Sequence, residues 1–212
     1  QRMGKKKVLM VTSVLENEGK STVSVNLALA MVKKNRKVLL IDCDLRKPAC
    51  HNILETKKFT HGIQDVLQNL VKPEEAVVQY PSSQLYMLLS KKSQQRIDEL
   101  ITSEQMVNML NWARQNFDYV VLDLPPMAAA ADAEAMAAMV DTSLLVVRQN
   151  EALVPALNKA IAALDGQHAK LLGCVLNNVH TSPIGNGGGY GYGYGQGKYH
   201  KYNYYKSYGS GK

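Results

Sequence analysis

The chain has 212 residues, 46% of them hydrophobic, and a formal net charge of +7 at pH 7. That length suits one α/β domain, or one domain plus a tail, with enough chain to bury a sizeable core. No apolar run is long enough to cross a bilayer and no signal-peptide pattern opens the chain. Cys43, Cys50 and Cys174 show neither metal-ligand spacing nor an even count, which argues against a disulfide scaffold and for reduced, cytosolic thiols. The positive charge asks for an anionic partner, and nucleotide, acidic lipid and nucleic acid all qualify.

Taken in chain order, Val8 to Val11 is a short apolar run, followed by a Gly-Lys-Ser-Thr turn and an amphipathic stretch from Val23 to Lys34. Val38 to Ile41, Tyr119 to Leu122, Leu144 to Val147 and Leu171 to Leu176 are further continuous apolar runs. Runs of this kind are what strands buried on both faces look like, as in a parallel sheet covered by helices. Helical-period segments at Thr102 to Gln115, Asp132 to Met139 and Pro155 to Leu164 supply the crossovers. Pro125-Pro126 and Lys91 to Gln95 read as loops. The expected fold is α/β, a doubly wound, mostly parallel sheet over residues 1–182. After Pro183 the composition changes: from Gly185 to Lys212 the chain is glycine, tyrosine, lysine and little else, with no aliphatic residue. Such a segment cannot bury enough apolar surface to offset its ordering entropy, so 183–212 is expected to be a disordered C-terminal tail.

Glu18-Gly19-Lys20-Ser21-Thr22 follows a predicted strand and opens a predicted helix, the context in which a P-loop match is informative. Gly19 lets the backbone approach phosphate, and successive N–H groups at the helix N-terminus face the anion. Lys20 is expected to contact the β- and γ-phosphates, Ser21 to ligate Mg²⁺ and Thr22 to touch the α-phosphate. Val14 stands where the first glycine of the full pattern is expected. As an exposed loop residue, Lys20 should carry little packing.

Asp42 and Asp44 lie two apart at the end of one predicted strand, hence on one side of it. Asp123 ends another. Ligands of open α/β sheets bind beyond the carboxyl ends of strands, so the three acids should converge where the P-loop holds phosphate. They exceed what one Mg²⁺ needs directly, and a spare carboxylate can orient or deprotonate an attacking group. Cys43 should point away from the two acids that flank it and be buried.

These residues resemble the bacterial tyrosine kinases of capsule and exopolysaccharide systems, P-loop domains of the partition-ATPase type. The resemblance runs through Ser13 to Thr22, Val38 to Arg46 with Lys47-Pro48, Tyr119 to Pro126 and the carboxyl-terminal tyrosines. It implies ATP and Mg²⁺ as cofactors, Lys20, Asp42, Asp44 and Asp123 as the catalytic set, and Ser21, Asp42 and Asp123 as the metal set. One of Asp42 and Asp44 is the implied base toward tyrosine, and Asn177 the implied adenine contact beside the Glu18 to Thr22 loop. The resemblance also implies a transmembrane activator of polysaccharide co-polymerase type (fused or separate), other kinase subunits, a cognate tyrosine phosphatase and a place at the inner membrane face. No nucleic-acid partner is expected.

Departures from the family pattern are specific. Glu16-Asn17 replaces a common Pro-Gly pair, though Asn tolerates left-handed backbone. Leu15 stands where partition ATPases carry a signature lysine, which favours the kinase branch. Only Gln1 to Lys7 precede the first strand, so the family's ring-forming helix is absent or removed and a largely monomeric chain is expected.

Beside such a site, Tyr190, Tyr192, Tyr194, Tyr199, Tyr202, Tyr204, Tyr205 and Tyr208 read as phosphoacceptors. A sticky low-complexity segment and a stacking platform for single-stranded nucleic acid are the competing readings, and with them a non-kinase ATPase switch. The tail carries four lysines and no acid from Gly185 onward. Each phosphotyrosine adds about −1.5 to −2, so three would reverse its sign.

Overall fold

A computed structural model describes residues 7–56, 59–91, 97–129, 132–166 and 170–180. The tyrosine cluster and the predicted tail boundary at Pro183 lie outside them. The strands are β1 (Val8–Ser13), β2 (Val38–Asp42), β3 (Val78–Gln79), β4 (Leu85–Leu88), β5 (Tyr119–Asp123), β6 (Thr142–Arg148) and β7 (Lys170–Asn177). The helices are α1 (Lys20–Val32), α2 (Cys50–Ile53), α3 (Ile63–Leu67), α4 (Pro73–Ala76), α5 (Ile97–Ile101), α6 (Glu104–Asn116), α7 (Asp132–Ala137) and α8 (Val154–Gly166).

Among the described residues the strands form one sheet in the order β3-β4-β2-β5-β1-β6-β7, parallel except for the β3–β4 pair. This is the mostly parallel α/β fold read from the apolar runs. β1, β2 and β5 occupy the interior, and all of β1 and β2 is buried, which is why they read as unbroken hydrophobic runs. Alternate residues feed two cores. Val8 and Met10 pack on one side with α6 and α7 residues, whereas Leu9 and Val11 pack on the other with Val25 and Ala28 of α1. Ser103 caps α6 by accepting the Met106 N–H.

Two outcomes differ from the sequence reading. β4 and its short partner β3 were not anticipated, because Leu85–Leu88 is only four residues long and follows a polar turn. β7 was expected to be buried on both faces, yet its residues alternate between exposed and half-buried, with Leu172 and Leu176 more than half exposed. It is an edge strand, so an apolar run there reports strand propensity rather than burial. No helix among the described residues is long and apolar enough to cross a membrane.

Candidate functional site

β1 ends at Ser13, and the loop that follows returns to the helix start through two left-handed residues, Asn17 at φ 62° and Gly19 at φ 91°. Asn17 therefore takes the conformation its type tolerates, and at Gly19 any side chain would be strained. A Cβ at Gly19 would also collide with the Asn177 amide. Gly19 is the N-cap of α1 and offers no side-chain cap, and no acid occupies the first turn. The first-turn amides thus lack internal acceptors and face the cavity as an anion cradle.

The loop is held from behind by Glu18. Its buried carboxylate accepts the Leu15 N–H at 2.7 Å and the Arg148 N–H at 3.1 Å, while its carbonyl accepts from Asn177 Nδ2 at 2.9 Å. Glu18 was expected among the nucleotide contacts. Its side chain faces inward and ties the loop to the end of β6, and its carbonyl meets Asn177 at the end of β7. The segment after β5 closes the other flank: Thr12 Oγ1 donates to the Pro125 carbonyl, and the Met127 N–H to Ser13. Between these walls lies a cavity of about 480 Å³ bordered by Gly19 to Thr22, Asp44, Lys47, Pro125 and Pro126. An ion pair of 2.6 Å between Lys47 and Glu16 spans its mouth.

Beneath the cavity, parallel pairing of β2 with β5 puts Asp42 in register with Asp123. Asp44 follows two residues on. All three are buried, Asp42 and Asp123 with no exposure at all. Lys20 reaches them from α1, 2.8 Å from Asp44 Oδ2 and 3.7 Å from Asp123 Oδ2. The expectation of an exposed Lys20 is therefore corrected: it is 9% exposed and ion-paired. The physical cause is position, since the first helical residue points back over the strand ends where the acids collect. Burial works to lower its pKa, but Asp123, Asp44 and Asp42 outweigh burial and hold it charged.

Asp42 Oδ2 accepts the Ala49 and Cys50 N–H groups and Oδ1 the Asp44 N–H. Even so, burial and the neighbouring Asp123 push its pKa to about 8. Burial likewise raises Asp123, against the pull of Lys20 and the hydroxyls of Ser21 and Ser24. Two adjacent carboxylates in the interior hold more negative charge than one lysine compensates. The donor set fits the two groups expected here. Hard carboxylate and hydroxyl oxygens of Asp42, Asp123 and Ser21 suit Mg²⁺. Uncapped amides and an ammonium suit a nucleotide phosphate.

The structure brings together Gly19, Lys20, Ser21, Asp42, Asp44 and Asp123, leaves Thr22 exposed at the cavity, and sets Asn177 against the loop backbone. Cys43 is buried, as expected. Sequence reasoning missed Ser24, whose Oγ lies 3.0 Å from Asp123 Oδ1, and Cys50, whose Sγ lies 3.5 Å from Asp123 Oδ2. Ser24 sits one helical turn after Lys20, a spacing that could have been read; Cys50 carried no local signal.

The profile of the AAA domain family matches residues 7–165. The tyrosine-protein kinase YwqD of Bacillus subtilis (strain 168) is 36% identical over 171 residues, covering 81% of this chain and 72% of YwqD. The chain belongs to the bacterial tyrosine-protein kinase family. Among other members, the tyrosine-protein kinase Etk of Escherichia coli (strain K12) is 29% identical over 81% of this chain but only 24% of its own length. The chain thus spans about a quarter of that longer relative. The solved kinase domain of VpsO superposes with a TM-score of 0.77 at 32% identity, covering 82% of this chain and 86% of that one. A Pyrococcus horikoshii septum site-determining protein MinD, solved with Mg-ADP, shares the fold at a TM-score of 0.70 and 21% identity, over 80% of this chain and 69% of that one. The kinase family and the MinD-type ATPases therefore share one sheet architecture.

Proposed function

We propose that this chain transfers the γ-phosphoryl group of ATP to tyrosine hydroxyls, those of its own C-terminal cluster included, and thereby regulates capsular or extracellular polysaccharide synthesis. The observation that carries this is the convergence of an uncapped helix start, Lys20 and three buried acids on one rim of the sheet. A hydrolase needs only to place water; a fully buried acid pair plus a third acid at the cavity provides a metal site with a base to spare.

The roles follow from where each group stands. Gly19 to Thr22 cradle the phosphates, Asn177 is assigned to the nucleobase, and Ser21, Asp42 and Asp123 would hold Mg²⁺. When bound, Mg²⁺ neutralises charge on the phosphate oxygens. Asp44 borders the cavity, whereas Asp42 lies beneath it and is spent on three backbone amides. We therefore assign Asp44 as the base. In the structure its partner is Lys20; once Lys20 turns to the phosphates, Asp44 is free to take the tyrosine proton. The tyrosine oxygen then bonds to the γ-phosphorus as the bond to the β-phosphate oxygen breaks, and ADP leaves.

The acceptors in this reading are Tyr190, Tyr192, Tyr194, Tyr199, Tyr202, Tyr204, Tyr205 and Tyr208. Its partners are a transmembrane activator, further kinase subunits and a tyrosine phosphatase, at the inner face of the membrane. Support comes from relatives named as tyrosine-protein kinases.

Mass spectrometry after incubation with ATP and Mg²⁺ tests the reading, with phosphotyrosine expected between Tyr190 and Tyr208. ATP hydrolysis without phosphotyrosine would return the chain to a partition-type ATPase switch. Mixing a Lys20→Met chain with an active chain ending at Ser182 tests transfer between subunits; phosphotyrosine is expected on the inactive chain. Asp44→Asn should slow transfer by about tenfold or more with nucleotide affinity kept, whereas Asp42→Asn should act through Mg²⁺ affinity.

A further inference from the structure

Cys50 opens α2 directly over the acid pair. Its Sγ is 3.5 Å from Asp123 Oδ2, and its N–H donates to Asp42 Oδ2 at 3.0 Å. One donor atom from each of Asp42, Cys50 and Asp123 lies within 4.8 Å of the other two, and all three residues have 0% exposure. A tetrahedral Zn²⁺, with Zn–S of about 2.3 Å and Zn–O of about 2.0–2.2 Å, holds sulfur and oxygen ligands about 3.5–3.7 Å apart. The Cys50–Asp123 spacing falls in that interval before any ion is added. The nearby cation, Lys20, stands closer to Asp44 than to Asp123, at 2.8 Å against 3.7 Å.

We propose that Asp42, Cys50 and Asp123 form a thiophilic metal site that takes Zn²⁺ in competition with Mg²⁺. The proposal rests on reading Asp42 and Asp123 as the divalent-cation pair and adds to it a sulfur ligand. The two ions ask for different surroundings. Mg²⁺ demands near-octahedral oxygen and gains nothing from a thiol, whereas Zn²⁺ is at home in a four-coordinate set of mixed sulfur and oxygen. Three protein ligands leave the fourth position to water or a phosphate oxygen. As the Zn–S bond forms, the Cys50 proton leaves to solvent, so binding releases protons. With no exposed surface, Cys50 is closed to solvent-borne oxidants and electrophiles. Its use lies in coordination. Zn²⁺ held here occupies the ground that Mg²⁺ needs, so the kinase would be restrained by free zinc and released by chelation.

Co²⁺, a spectroscopic substitute for Zn²⁺, tests the site on the full chain. Tetrahedral thiolate-bound Co²⁺ gives an ultraviolet charge-transfer band and intense visible bands, whereas all-oxygen octahedral Co²⁺ gives neither. Both features are expected on titrating the wild-type and Cys174→Ser chains, with bleaching on addition of Zn²⁺. Cys50→Ser and Cys50→Ala should show neither. Their Zn²⁺ affinity, measured against a chromogenic chelator, should fall by more than the roughly 10–100-fold that follows loss of an outer-shell partner. Circular dichroism establishes that each variant is folded. Absence of the bands in folded wild type, or bands that survive Cys50→Ser and vanish in Cys174→Ser, would overturn the proposal. Should wild type form phosphotyrosine with Mg²⁺ yet show no cobalt–thiolate band, the sulfur site falls and the kinase reading stands. Bands in a wild type that forms no phosphotyrosine with ATP and Mg²⁺ would mean the reverse.

Discussion

At the start of β1 the Asp141 carboxylate accepts the Lys7 and Val8 N–H groups at 2.8 Å each and Arg114 Nη1 at 2.6 Å. At the other end of the same strand Asp42 and Asp123 lie side by side with a lysine shared among three acids. Burial works against the charge on Asp141, but Arg114 and the two amides outweigh it and hold the carboxyl below the ordinary aspartate value. Burial pushes Asp42 and Asp123 the opposite way, with repulsion from Asp123 adding to the shift of Asp42 and repulsion from Asp44 to that of Asp123. One cluster is complete within the chain and joins β1 to α6 and to the turn before β6. The other is short of positive charge, a condition that a fold tolerates where a ligand supplies the remainder. Counting cations per carboxylate thus separates an acid that holds the fold from acids that serve a site.

The contrast can be broken from either end. Lys20→Met removes the internal cation of the functional cluster, and phosphotyrosine formation should fall by about a hundredfold or more. Quantitative mass spectrometry of the tail reads this, and undiminished transfer would place the phosphates elsewhere. Asp141→Asn attacks the finished cluster instead. It should cost about 1–3 kcal/mol of stability, because an amide cannot accept from two backbone donors and a guanidinium at once. The folded variant should phosphorylate at the wild-type rate; a large loss of activity with unchanged thermal midpoint would dissolve the distinction.

The two ends should also answer pH with opposite signs. Folded Asp42 keeps its proton up to about pH 8, well above the ordinary value of 3.8. Across that window the native state binds more protons than the unfolded chain. Stability contributed by this group therefore falls as pH rises, by at most about 1.4 kcal/mol per pH unit. Asp141, with its pKa lowered, contributes stability that is present above 3.8 and lost as pH falls through its folded value. Thermal unfolding in chelating buffer from about pH 4 to 8 should show the first slope. Asp123→Asn, which removes the neighbouring charge, should flatten it. A steeper slope in that variant would mean that the Asp42 shift has another origin. The smallest effect belongs to the pair at the cavity mouth. Glu16→Gln breaks a 2.6 Å contact between exposed groups, and denaturant melts should register less than about 1 kcal/mol.

Local signals in the sequence determined the elements and half of the site. The apolar runs at β1, β2 and β5 and the Gly19 to Thr22 step could be read because each reports on neighbouring backbone, strand burial in one case and a glycine-dependent turn into a helix in the other. Expected strands and helices met the observed ones except where an element was short, as in β3 and β4, or where an apolar run turned out to be the half-exposed edge β7. Asp42, Asp44 and Asp123 could be assigned to one rim because the carboxyl ends of parallel strands must share a side. Only the tertiary structure decided which acid sits against which. The β2–β5 register makes Asp42 and Asp123 neighbours, the inward turn of Glu18 reserves it for the Leu15 and Arg148 amides, and α2 lays Cys50 on Asp123. Those pairings join residues many positions apart, and their cost or benefit depends on burial and on competing donors. Neither quantity is written in any local stretch of chain.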